Sequence, residues 1–159
     1  MTCPSDSVIR VDDSMTWCEL EGGTHVGTTL DWHTPGRLAT ASQLIDGRPA
    51  SVVTFYTSGR IESIRVSGAS ESRETSFQWY PTGELRLRAE WRDEKLDGDY
   101  RMWHEDGSLK IGGTYDMGFR SGIWTVRETT ESEARVVEYG ESEGPKPLPA
   151  SISQSDGSS

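Results

Sequence analysis

The sequence predicts an all-β protein: an elongated repeat array of consecutive antiparallel β-hairpins forming one twisted meander, with about 24 residues per unit. Three observations carry that expectation. A short phrase recurs, made of two bulky residues, two turn-forming residues, a glycine, and an aliphatic residue two places on. Its copies are Trp32-His33-Thr34-Pro35-Gly36-Arg37-Leu38, Phe55-Tyr56-Thr57-Ser58-Gly59-Arg60-Ile61, Trp79-Tyr80-Pro81-Thr82-Gly83-Glu84-Leu85 and Trp103-His104-Glu105-Asp106-Gly107-Ser108-Leu109, with glycine spacings of 23, 24 and 24. Next, Leu85, Leu87, Ala89 and Trp91 alternate with Arg86, Arg88, Glu90 and Arg92, the period of a strand with one packed and one wet face. Finally, Asp46-Gly47 separates two strand-like runs, a strong hairpin signal.

Taken in order, residues 1–26 read as an N-terminal cap in which Trp17 to Leu20 has strand character. Residues 27–139 read as the array, with units near 27–47, 48–75, 76–98 and 99–122 and a degenerate unit at 123–139. The stretch Gly68 to Thr75 contains one Ala and otherwise polar residues, so it reads as a long connection. Asp93 to Gly98 reads as an inter-unit turn, and Ser121-Gly122 precedes the last unit. Glu131 stands where the fifth corner glycine belongs, as suits a terminal unit that caps a stack. Arg135 to Tyr139 supplies a final return strand. Residues 140–159, rich in Gly, Pro, Ser and Glu, read as a disordered tail.

Composition narrows the function. Hydrophobic residues make up 33% of the 159 residues, which is low for a globular protein. Six Trp, five Tyr and three Phe compensate, since each aromatic buries roughly 150–250 Å². The expectation is a thin fold held by aromatic packing. A net charge of −10 argues against nucleic acid, whose phosphates are neutralised by Lys and Arg. It argues equally against electrostatic docking to anionic lipid. A basic partner suits this charge, as does a simple role in solubility. No run of about 18 apolar residues is present for direct membrane insertion. The opening MTCPSDSVIR lacks the apolar core of a signal peptide.

Tyr115, Gly118, Gly122 and Trp124, together with Trp91, Gly98 and Tyr100, carry a family resemblance. They resemble MORN-type repeats, in the variant of the YwqK-like "toxin–antitoxin system antitoxin" family, with Glu94 at a place where that family usually has Gly. Cys3-Pro4, Trp17-Cys18 and Gly23-Thr24-His25-Val26-Gly27 resemble the start of secreted or lipoprotein members in Gram-negative bacteria. The resemblance implies a non-catalytic protein-binding or scaffold module of the periplasm or cell envelope. The alternative it implies is a cytosolic antitoxin or immunity protein that binds a toxin directly. Cys3 and Cys18 read either as one disulfide or as two free thiols, and the resemblance favours the disulfide. Lipidation of Cys3 excludes that pairing.

Candidate site residues follow from the register of the copies. Gly36, Gly59, Gly83 and Gly107 read as geometric, each supplying a positive φ as in a type I turn closed by a glycine bulge. Trp32, Phe55, Trp79 and Trp103 form one column, and His33, Tyr56, Tyr80 and His104 form another on the opposite side of the strand. One column packs within the layer. The other either braces the stack through cross-strand pairs or presents an aromatic binding stripe to a peptide, glycan or protein. Tyr56, Tyr80, Tyr100 and Trp124 are the candidate binding face. Three units separate His33 from His104, so they share neither a metal nor a proton relay. Asp46, Asp97 and Asp106 each precede a glycine and read as turn residues. No motif for a cofactor, a metal or catalysis occurs. The expected partner is therefore a protein or peptide.

Overall fold

The computed structural model describes residues 1–68 and 72–140. It is all-β. Among the described residues, twelve antiparallel strands form one open sheet in strict sequence order. They are β1 (Ser7–Val11), β2 (Met15–Leu20), β3 (His25–Thr34), β4 (Arg37–Ile45), β5 (Arg48–Phe55), β6 (Ile61–Ser67), β7 (Arg73–Trp79), β8 (Leu85–Arg92), β9 (Lys95–Trp103), β10 (Leu109–Asp116), β11 (Phe119–Val126) and β12 (Arg135–Tyr139). The expected final return strand is β12. Tail positions 141–159 lie outside the described residues.

The recurring phrase makes one rim of the sheet. At Tyr56, Tyr80 and His104 the backbone N–H donates to the carbonyl of Arg60, Glu84 and Ser108, while the corner glycine donates back to the bulky residue. That is a tight turn closed by a glycine bulge, and Gly59, Gly83 and Gly107 have φ of 87°, 106° and 82°. The first copy is tighter. Thr34 pairs directly with Arg37, leaving only Pro35 and Gly36 in the turn.

The opposite rim carries the two-residue turns Asp46-Gly47, Asp93-Glu94 and Met117-Gly118, each with both residues at positive φ. Such turns match the natural twist of paired strands. Three sequence readings change here. Asp97-Gly98 lies within β9, because the turn is complete at Asp93-Glu94. Ser121-Gly122 likewise lies within β11, so the expected unit ends at 98 and 122 fall inside strands. Arg73 to Thr75 belongs to β7, whose Glu74 pairs with Ser67, so the connection after β6 is shorter than its polar composition suggested. The N-terminal cap is one further hairpin of the same sheet, β1 with β2.

Interior burial is sparse, as a single layer requires. Among the described residues, the buried apolar side chains are Cys18, Ala89, Ile111 and Trp124, with Thr29, Ser76 and Asp97 the buried polar ones. Asp97 is thus no turn residue. Its carboxylate accepts from the Met117 N–H at 3.1 Å and pairs with Arg92. Packing is densest near the C-terminal end, where Trp124 meets Tyr115 edge-on at 5.0 Å and Tyr139 at 6.0 Å, and Tyr100 lies 6.0 Å away. Gly113 makes that possible: a Cβ there would stand 2.3 Å from the Trp124 ring. Arg120 lies 4.5 Å from the ring centre of Trp124 and 5.5 Å from that of Tyr139. At the other end a disulfide joins Cys3 to the buried Cys18, Cα atoms 5.5 Å apart. The Cys3 sulfur is therefore not available for lipidation.

Candidate binding cleft on the concave face

Residues paired directly across strands share a face, so register assigns the two faces. One runs through Trp17, Thr29, Ser42, Val52, Arg65, Ser76, Ala89 and Tyr100. Three clefts open on this face, termed the concave face, with the opposite one termed convex. The other face carries the phrase aromatics, each opposite an aliphatic partner: Trp32 with Leu38, Phe55 with Ile61, Trp79 with Leu85, and Trp103 with Leu109. It also carries a charge network. Arg88 pairs with Asp99 and, at 2.6 Å, with Glu90, and Arg101 pairs with Asp99 at 3.2 Å. Asp99 thereby bridges two arginines that sit directly opposite each other across the strands.

One cleft, of about 940 Å³, lies over β6, β7 and β8. Alternation brings Ser63, Arg65 and Ser67 from β6, Glu74, Ser76 and Gln78 from β7, and Trp91 from β8 to one side. The Trp91 indole N–H donates to Ser76 Oγ at 2.9 Å, and Ser76 Oγ lies 3.5 Å from the Ala89 carbonyl. Arg65 and Glu74 form a 4.0 Å ion pair across the strands. Arg73, Asp93 and Glu94 line the end toward the inter-unit turns.

The proposed aromatic stripe has a different job. The Tyr56 hydroxyl donates to the Trp79 carbonyl at 2.7 Å, and the Tyr80 hydroxyl to the Trp103 carbonyl at 2.9 Å. His33 Nε2 reaches the Phe55 carbonyl at 2.9 Å, and His104 Nε2 the Arg127 carbonyl at 3.2 Å. Each unit's second bulky residue thus braces the backbone of the next corner. Trp124 has no exposed surface, so it cannot belong to a binding face; the Gly113 gap draws it into the sheet. Tyr100 is packed edge-on against Tyr115 at 5.4 Å, and burial raises its pKa. The four candidates are thus not brought together into a site. Arg37 and Arg60, each following a corner glycine, extend the stitching by donating to the Thr57 and Pro81 carbonyls at 3.1 and 3.0 Å.

Sequence reasoning gave no binding role to Ser63, Arg65, Ser76 and Gln78, and used Trp91 only as a packed strand position and a carrier of the family resemblance. The available signal was alternation: Ser63, Arg65 and Ser67 interleave with Ile64 and Val66, marking a polar face on a mid-array strand.

No protein-family model and no curated protein matches the chain. Among solved structures, one titled "Crystal structure of GtfA/B complex bound to UDP and GlcNAc" aligns with 9% identity and a TM-score of 0.30. That alignment covers 87% of this chain, which spans about a quarter, 25%, of the matched one. A likeness at that level carries no inference about fold or function.

Proposed function

We propose that this chain is a non-catalytic binding module that holds its ligand against the concave face. The observation that carries this reading is the cleft of about 940 Å³ over β6–β8, whose polar groups converge from three strands. Its size falls within the rough 300–1,000 Å³ range of ligand pockets. A binding role also suits the state of its side chains. Ser76 Oγ takes its hydrogen bond from an indole and lies toward a carbonyl, not beside a base that would activate it. Glu74 faces Arg65.

The disulfide supports an exported protein, because such bonds persist in oxidising compartments. It favours the periplasmic or envelope module over the cytosolic antitoxin. A MORN-like reading of the array rests on the sequence phrase alone, and the hairpin meander is compatible with it.

The test compares two sets of variants for retention of ligand from an envelope extract, followed by reconstitution with the purified ligand. Gln78→Trp and Ser63→Arg fill the cleft, while Arg101→Glu alters the convex face. Loss of ligand with the cleft variants alone, at unchanged circular dichroism, supports the reading. Retention by both cleft variants overturns it.

A further inference from the structure

We infer that the β6–β8 cleft takes a short neutral oligosaccharide. This deepens the binding reading above and rests on it. The first argument concerns the backbone. The cleft lies on a sheet face, where main-chain N–H and C=O groups are committed to the ladders between β6, β7 and β8. An extended peptide recognised by strand addition needs a free sheet edge, which this site does not offer. Recognition here runs through side chains.

The second argument concerns what those side chains present. Indole has a single polar donor, and that of Trp91 is already bonded to Ser76. Trp91 therefore offers the cleft carbon and π surface. A pyranose ring has the matching form: a C–H face that lies against an aromatic ring and a rim of hydroxyls. Those hydroxyls both donate and accept, and the cleft supplies both kinds of partner. Arg65 and Arg73 donate, Glu74, Asp93 and Glu94 accept, and Ser63, Ser67 and Gln78 do either.

The third argument is charge. Two arginines stand among three carboxylates, one of them paired with Arg65. A polyanion such as nucleic acid or an anionic glycan meets net repulsion, in a chain that already carries −10. A cation finds at most one carboxylate in excess of the arginines, a weak hold, whereas a neutral polyol uses the donors and the acceptors together.

The experiment titrates the full chain with cello-, malto- and chito-tetraose and, in parallel, with one acidic and one basic decapeptide. Backbone and indole shifts are followed by two-dimensional NMR. The expected result is that at least one tetrasaccharide, and neither peptide, shifts the resonances of Trp91, Gln78 and Arg65. Trp91→Ala then weakens that binding about tenfold, the share of one aromatic contact. Trp91→Phe, which keeps a ring, retains most of it and serves as the control if Trp91→Ala misfolds. Shifts at the cleft from a peptide and none from a sugar overturn the sugar assignment but leave the binding cleft standing. Sugar shifts confined to the convex face around Arg88 and Arg101 overturn both. Absence of any sugar-induced shift overturns the oligosaccharide inference.

Discussion

Gly113 and Trp124 show how single residues carry this fold. A methyl group at Gly113 would overlap the Trp124 ring, and few other buried side chains exist to share the strain. Gly113→Ala is expected to destabilise by about 3 kcal/mol, the upper range for overpacking. Urea unfolding, read by tryptophan fluorescence, checks this. Asp97 is a second such point, since its removal strands the Met117 N–H and leaves Arg92 without its carboxylate. Asp97→Ala is expected to lower stability by about 2 kcal/mol; Arg92 is half-exposed, which keeps the figure below that of a fully buried pair. Asp106 offers a pH test. The nearby Ser108 hydroxyl and the hydrogen bond from the Ser108 backbone N–H, at 2.9 Å, hold its carboxyl below the usual 3.8. Its contribution is therefore fully present above pH 3.8 and is lost as pH falls through the lower folded-state value. The melting temperature of Asp106→Asn is expected to lie below that of the parent at pH 7, with the gap closing toward pH 2.

At the level of the hairpin, the corner braces make a quantitative prediction. Tyr56→Phe and Tyr80→Phe each delete one hydroxyl that reaches a neighbouring carbonyl. Each is expected to reduce stability by about 1 kcal/mol. Amide exchange is expected to quicken around Trp79 and Trp103, with ligand binding at the cleft unchanged. The corners were legible in the sequence because glycine at positive φ leaves a fixed mark, and four copies in register made it unmistakable. The opposite rim was less so. Asp46-Gly47 announces its turn, whereas Asp93-Glu94 places two non-glycine residues at positive φ, and the nearby Asp97-Gly98 resembles the better turn. Alternation in β8 also misleads at its start. The extra residue Arg86 puts Leu85 opposite Trp79 and Leu87 opposite Gln78, so these two leucines lie on different faces. The cleft was hidden for a related reason: which strand face is concave depends on how twelve strands curl together, and no local spacing records that.

At the scale of the molecule, the described residues form a sheet of one layer with two open edges, β1 and β12. Val8, Ile9 and Val11 on the first edge are exposed. The disulfide ties the segment before β1 to β2 across a separation of 15 residues. In the chain-entropy model such a loop contributes roughly 3 kcal/mol. Reduction is expected to release two thiols on titration and to raise amide exchange in β1 and β2, while β8 to β11 stay protected. Uniform loss of protection would instead mark the sheet as a single cooperative unit. The corner brace has a further consequence, for how such a chain changes in length. Its acceptor is a main-chain carbonyl, which every residue type provides, and its donor is met by either Tyr or His. A duplicated block of 24 residues would therefore arrive carrying its own fastener and find a socket waiting on whichever neighbour it landed beside. Genes for proteins built this way can gain or shed whole units by recombination without any compensating change at the seam.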